Sequence, residues 1–309
     1  MSFDLSGLFK QSKNVKSDDF INTVEHATDL ISYEDGQVGN FIITGRLVQI
    51  DPSSEVMILS DLHGDFDSLK KIFEKSNFIT KMNNDSNAIL VFLGDYGDRG
   101  EKQISLYHTV LNLKIAFPEQ VVLIRGNHEG PLDLMPSPHD LPNQLQRKFK
   151  EKGTYAYAKL RKLFDCLYNA AYVEDRYLMV HAGFPLATRN LQDIAQAEKL
   201  HPDKPFLKEI LWNDPSDTII TTAPSPRGAG CLFGEKITTD VLNMINAKIL
   251  IRGHEFAPNG YKISHNGKIL TLFSRKGAPY NNPYGAYLQF YLEEKIEKAD
   301  QLLSFIHRF

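Results

Sequence analysis

Apolar runs of four to six residues recur along the chain, and a polar cluster directly follows each. The runs are Val56 to Leu59, Ala88 to Leu93, Val121 to Ile124, Tyr177 to Val180 and Lys248 to Ile251. They read as strands. Between them the spacing becomes helical: Leu69, Ile72 and Phe73 form one stripe, and Ile104, Tyr107, Val110, Leu111 and Lys114 form another. Strands alternating with helices predict a layered α/β core whose sheet need not be parallel throughout. Upstream, Phe20, Ile21, Val24, Ala27, Thr28 and Ile31 fit a helix with Ser17 as its expected cap. Phe41 to Ile50 reads as extended and broken at Gly45, while residues 1–16 lack periodicity and predict a loose start. Lys148 to Tyr168 reads as a helix, and residues 261–291 as strands and turns. Two stretches read as loops: 131–143, with four prolines, and 213–230, rich in Pro, Gly and Thr. No solenoid period and no compositional shift is present. A single catalytic domain over 1–309 is expected, with 1–50 as a helical and extended extension.

The bulk properties narrow the class. An apolar fraction of 42% permits a sizeable core, and a net charge of −3 without a dense basic run argues against a nucleic-acid or anionic-membrane surface. The two cysteines, Cys166 and Cys231, neither suggest a disulfide framework nor suffice for an all-cysteine zinc site. No apolar stretch approaches a membrane span, and the N-terminus lacks a secretory core. A reduced, cytoplasmic setting is the expectation.

The clusters themselves are Asp61-Leu62-His63-Gly64-Asp65, Gly94 to Gly100, Arg125 to Glu129, His181-Ala182-Gly183 and Arg252 to Glu255. A strand end is a fixed point on a rigid sheet, so Asp, Asn and His delivered there repeatedly suggest one site for hard cations. Asp61 and His63, two apart in extended chain, face the same side. Taken alone that pair, or either of His181 and His254, is more often an ordinary structural feature. Jointly, two Asp, one Asn and three His suffice for two metals. One metal could take Asp61, His63 and Asp95; the other could take Asp95, Asn127, His181 and His254. A carboxylate can bridge such a pair. Mixed oxygen and nitrogen ligation suits Mn, Fe or Zn. Asp98 could orient His128 as an acid–base pair, and Arg99 and Arg227 could supply planar forks to an anion. A phosphoryl group is the natural occupant. Trp212 reads as a core aromatic.

The motifs D-x-H-G (Asp61, His63), G-D-x-x-D-R-G (Gly94 to Gly100) and G-N-H-E (Gly126 to Glu129) resemble those of the phosphoprotein phosphatases, metal-dependent serine/threonine phosphatases. The resemblance continues through H-A-G at His181, L-W-x-D-P at Leu211 to Pro215, R-G at Arg227, R-G-H-E at Arg252 and L-F-S at Leu272. It covers roughly residues 50–290. It implies a calcineurin-like metallophosphoesterase fold of the α/β (α+β) kind, a β-sandwich flanked by helices with the metals at the strand ends. It also implies two divalent ions, Mn2+ first and Fe or Zn as alternatives, on the two ligand sets named above. By the same resemblance His128 is the general acid with Asp98 as its partner, and Arg99, Arg227, Asn127 and Tyr280 meet the phosphate. The implied reaction is hydrolysis of phosphoserine and phosphothreonine in proteins by direct attack of a metal-bridging water. A diadenosine tetraphosphate hydrolase, a broad phosphomonoesterase of the same superfamily, and a non-enzymatic scaffold are the competing readings. Phosphorylated proteins are the expected partners, without nucleic acid or membrane. Departures are Ser60 where the family often has Gly, Ala182 in place of the second residue of H-G-G, and Arg275 to Tyr280 in place of S-A-P-N-Y-C. They suggest a prokaryotic or otherwise divergent member.

Overall fold

A computed structural model describes residues 3–309. Two mixed sheets face each other. The larger has eight strands in the order Gly36–Val38, Phe41–Thr44, Leu47–Ile50, Ala170–Val173, Tyr177–Val180, Ile249–Arg252, Ile269–Leu272 and Tyr261–Ser264. The smaller runs Ile306–Arg308, Ala286–Tyr291, Glu55–Leu59, Ala88–Phe92 and Val121–Leu123. Period-two alternation explains why the larger sheet is buried on both faces. Ile249, Ile251, Tyr177, Met179, Leu270 and Leu272 join the main core with the smaller sheet, whereas Leu250, Leu178, Val180 and Ile269 join a second core beneath the 191–245 helices. Tyr177 meets Phe290 across the sandwich, ring centroids 5.4 Å apart.

The strands that carry the polar clusters are parallel where they pair. Glu55–Leu59 runs with Ala88–Phe92, which runs with Val121–Leu123, and Ile249–Arg252 runs with Tyr177–Val180. Their carboxyl ends therefore emerge along one edge of the sandwich, where open α/β sheets place ligands.

Several local expectations change. The loose start expected over 1–16 is replaced, among the described residues, by a helix at Leu5–Lys13 whose N-cap Asp4 accepts from the Gly7 backbone N–H at 2.8 Å; residues 1 and 2 lie outside the described residues. Leu8 and Phe9 bury one face, and Ser12 Oγ reaches His108 Nδ1 on another helix at 2.7 Å. Ser17 is the first residue of the helix Ser17–Tyr33 rather than its cap. The stripe expected there is otherwise as read, with Phe20, Val24, Ala27 and Ile31 fully buried. The helix expected over 148–168 is interrupted: Leu141–Phe149 and Gly153–Cys166 are joined by a short 3-10 turn, so the proline-rich loop ends at Asp140. Pro142 sits in a first helical turn, where its missing N–H costs nothing. The 213–230 loop contributes Asp214–Pro215 and Thr222–Pro224 to a small three-stranded sheet with Cys231–Phe233. Among the described residues, no helix is long and apolar enough to cross a membrane.

Candidate active site

Backbone hydrogen bonds tie the polar clusters together beyond the strand ends. His63 N–H donates to Asp95 O at 2.8 Å, Gly64 N–H to Tyr96 O at 2.7 Å and Gly253 N–H to His181 O at 2.8 Å. Glycine is required where these chains cross: a Cβ on Gly253 would collide with Ser60 and Asp61, and one on Gly94 would collide with the Gly126 backbone. The candidate site residues adopt an unusual conformation in this crowding. Asp61, His63, Asp95, Asp98, Arg99 and His254 all hold left-handed backbone, with φ of 49°, 43°, 56°, 62°, 66° and 68°. Such residues cost about 1–3 kcal/mol each and gather where the surroundings over-determine them.

The six candidate metal ligands meet at this edge. His63 Nε2 lies 3.3 Å from Asp95 Oδ2 and 4.0 Å from Asp61 Oδ1. His181 Nε2 lies 3.4 Å from Asp95 Oδ1, 3.0 Å from Asn127 Oδ1 and 3.2 Å from His254 Nδ1. Asp95 stands between the two groups, one oxygen toward each. Ring orientation is set from behind: His63 Nδ1–H donates to Gly97 O at 2.9 Å and His181 Nδ1–H to Leu93 O at 2.8 Å. Both Nε2 lone pairs therefore point inward.

Electrostatics show what this cluster wants. Burial pushes Asp61 up to about 7, against the opposing hydrogen bonds from Ser60 and the His254 N–H and the charges of Arg252 and Arg227. Burial, followed by the Asp61 and Glu129 charges, holds Asp95 well above the carboxylate range. Burial drives His63, His181 and His254 well below the usual imidazole value. Neutral imidazoles offering lone pairs beside carboxyls that resist ionising describe a site short of positive charge. Asn127 gives the sharpest fit. Its oxygen faces lone pairs of His181 and His254 and the Asp95 carboxylate, with no donor among them. Turned over, its nitrogen would donate to both Asp95 oxygens at 3.1 Å. Oxygen inward completes a cation's coordination shell; nitrogen inward substitutes for one. The donor set fits divalent metal.

The candidate acid–base pair lies beside it. His128 Nδ1–H donates to Asp98 Oδ2 at 2.5 Å, and the His128 ring meets His63 edge-on at 4.8 Å. Burial alone would raise Asp98, but hydrogen bonds from His128 and His139 prevail and hold it well below the usual range. A cleft of about 550 Å³ opens over the cluster, with Arg99, Arg227 and Tyr280 on its walls. Arg227 is held by Asp214, Nε to Oδ2 at 2.6 Å. Tyr280 stacks on His63 at 5.9 Å and lies under the Arg99 guanidinium at 6.0 Å. Each residue singled out in the sequence for metal, acid or phosphate is thus brought to one place.

A family model described as calcineurin-like phosphoesterase matches residues 54–258. The chain belongs to the calcineurin-like phosphoesterase family. A "probable serine/threonine-protein phosphatase" of Encephalitozoon cuniculi is 31% identical over 86% of this chain and 56% of its own length. The serine/threonine-protein phosphatase 6 catalytic subunit of Caenorhabditis elegans is 30% identical over 72% of this chain and 65% of its own. The chain thus spans between half and two thirds of these relatives. The structure of a protein serine/threonine phosphatase from Saccharomyces cerevisiae with similarity to human phosphatase PP5 superposes with a TM-score of 0.80, covering 99% of this chain and 96% of that one at 20% identity. That likeness shows a shared fold.

Within this calcineurin-like phosphoesterase, several residues that the sequence reading named without a role in the site turn out to shape it. Glu129 is fully buried and accepts from the backbone N–H groups of Asp95, Tyr96, Gly97 and Gly126 and from Tyr107 OH. Asp214 joins Arg227 to Arg252, Oδ1 accepting from Arg252 Nη2 at 2.7 Å. Trp212, read as a core aromatic, does pack in the second core but also lines the cleft, edge-on to His254 at 5.8 Å. Ser60, where the family often has Gly, donates to Asp61 Oδ2 at 2.5 Å. Arg275 is buried, donates to His63 O and Ala278 O, and carries Tyr280 into position. The tyrosine of that loop was legible as a phosphate-side candidate; the buried contacts of Arg275 beneath it were not.

Proposed function

We propose that the chain is a metal-dependent protein phosphatase that hydrolyses phosphoserine and phosphothreonine monoesters. One observation carries the reading: two ligand groups that share Asp95, a histidine held by Asp98 and two arginines meet at a single cleft, with His181 and Asp98 buried behind its lining. Asp61, His63 and Asp95 would hold one divalent ion, and Asp95, Asn127, His181 and His254 the other. Mn2+ is the first expectation, and Fe or Zn suit the same donors. Divalent ions there supply charge neutralisation and acidify water at neutral pH.

The remaining chemistry belongs to the chain. Arg99 and Arg227 grip phosphoryl oxygens, with Asp214 fixing the direction of the Arg227 fork. Tyr280 bounds the pocket beside His63. His128 keeps its Nδ1 proton on Asp98, so Nε2 is the atom that delivers a proton to the departing serine or threonine oxygen. Phosphorylated proteins are the proposed substrates, met in the cytoplasm.

The test is turnover of a phosphoserine peptide, a phosphotyrosine peptide and a dinucleoside tetraphosphate by metal-analysed protein. Chelation should abolish hydrolysis of the phosphoserine peptide and Mn2+ should restore it. His128→Ala should lower kcat about 100-fold or more with both metals retained. Turnover that survives chelation, or dinucleotide as the preferred substrate, defeats the proposal.

A further inference from the structure

Asp98 serves two imidazoles. Its Oδ2 accepts from His128 Nδ1 at 2.5 Å and from His139 Nδ1 at 2.7 Å. Its Oδ1 accepts from the backbone N–H groups of Asp140 and Leu141, both at 2.9 Å. The carboxylate is fully buried, and His139 is 14% exposed. His139 Nε2 in turn pairs with Tyr157 OH at 2.8 Å. The proton positions follow from chemistry. A carboxylate oxygen only accepts, so both Nδ1 atoms carry hydrogen. Tyr157 OH, 2.8 Å from Nε2, braces the far side of the ring and keeps Nδ1 turned to Asp98.

His139 reaches this position from the loop that precedes the helix Leu141–Phe149. That loop is also a wall of the cleft, through Leu134, Met135 and Pro136. It is anchored elsewhere by Arg161 Nη1 on Gly130 O at 2.7 Å and by His201 Nε2 on Asp133 at 3.0 Å. Asp140, the next residue, accepts from the Arg99 backbone N–H at 3.1 Å. The loop therefore has anchors besides His139, while Asp98 Oδ2, the oxygen that faces His128, has His139 as its other partner.

We infer that His139 is a positioning residue for proton delivery by His128, with Tyr157 bracing its ring. The inference rests on the proposed function, in which His128 protonates the leaving oxygen. The backbone N–H groups of Asp140 and Leu141 already hold Oδ1, so the second imidazole acts on the other end: it limits the swing of Oδ2 about that anchored oxygen and aims His128 Nε2 into the cleft. It also divides the acceptor strength of Oδ2, so the His128 proton is held in line without being drawn toward Asp98.

The test separates aiming from loop packing by leaving group. A phosphothreonine peptide departs as an alkoxide and needs the proton; p-nitrophenyl phosphate departs as a stable phenolate and needs it far less. His139→Ala and His139→Gln should lower kcat on the peptide about 10-fold more than on p-nitrophenyl phosphate, with KM within about 3-fold. His139→Asn, whose Nδ2–H replaces the Nδ1 donor, should recover peptide turnover to within about 3-fold of the parent. Tyr157→Phe, a change outside the loop sequence, should show the same split at about 3-fold and stands in where His139→Ala does not fold. Equal losses on both esters, a change confined to KM, or Asn no better than Gln overturns the inference. A parent chain inactive on both esters defeats the proposed function itself; a parent active on both with unsplit variants defeats only the role of His139.

Discussion

Glu129→Gln changes one atom at the centre of the site's framework, and its cost can be worked from the contacts. Oε2 accepts from Asp95 N at 2.9 Å and Gly126 N at 3.2 Å; Oε1 accepts from Tyr96 N at 3.1 Å, Gly97 N at 3.3 Å and Tyr107 OH at 2.6 Å. An amide must place its NH2 at one end or the other. Either way two buried backbone N–H groups face a donor instead of an acceptor. Each buried donor left without a partner costs about 1–3 kcal/mol, so the substitution should cost about 2–6 kcal/mol. That is a large share of an ordinary stability of about 5–15 kcal/mol. For 309 residues the unfolding entropy is about 0.65 kcal/mol/K, which converts the loss into a Tm drop of about 3–9 °C. Scanning calorimetry at fixed rate, in chelator so that bound metal adds nothing, measures it. The exposed Glu119→Gln serves as control and should move Tm by less than about 1 °C. Activity should fall in metal-loaded protein even far below Tm, because the same carboxylate positions the segments carrying Asp95 and Asn127. A Glu129→Gln protein that melts with the parent would show that these N–H groups do not depend on the carboxylate, and the account of the framework would fail.

The arginines and the buried histidine give two further tests. Arg99→Ala and Arg227→Ala should each raise the inhibition constant for inorganic phosphate about 10-fold, the size of one lost charge-assisted contact; an unchanged constant removes that arginine from the phosphate clamp. His108 does not line the cleft, and burial, then the Lys148 charge, lowers it to about 4 from 6.5. Between those values the unfolded chain binds the extra proton, so this group's contribution is whole above about pH 6.5 and is lost as pH falls toward 4, up to about 3 kcal/mol. His108→Gln should flatten the Tm–pH curve in that window, and a slope equal to the parent's would refute the assignment.

What could be read from the chain and what could not divide along a physical line. Asp61, His63, Asp95, Asn127, His181 and His254 were legible because each stands within a few residues of a buried strand end, and neighbouring strand ends share an edge. The Leu5–Lys13 helix was not, because its buried stripe is only Leu8, Phe9 and Ser12, too short to show a period. His139 was hidden in a different way. It lies 41 residues from Asp98, in a segment whose prolines announce a loop and say nothing of where it docks. Asp214, Arg252 and Glu129 were visible as motif letters, yet their work is to hold other groups, and pairing of that kind is decided by tertiary contact. The left-handed backbone at Asp61, Asp95 and His254 belongs here too. Aspartate and histidine tolerate it better than β-branched residues, but nothing local demands it. Strand ends thus specify which atoms arrive, and the buried Glu129, Asp98 and Asp214 specify how they are aimed. The first is written in contiguous residues and survives a linear reading. The second exists only once distant segments meet, which is why the variants that probe aiming, at Glu129 and at His139, test the structure rather than the motif.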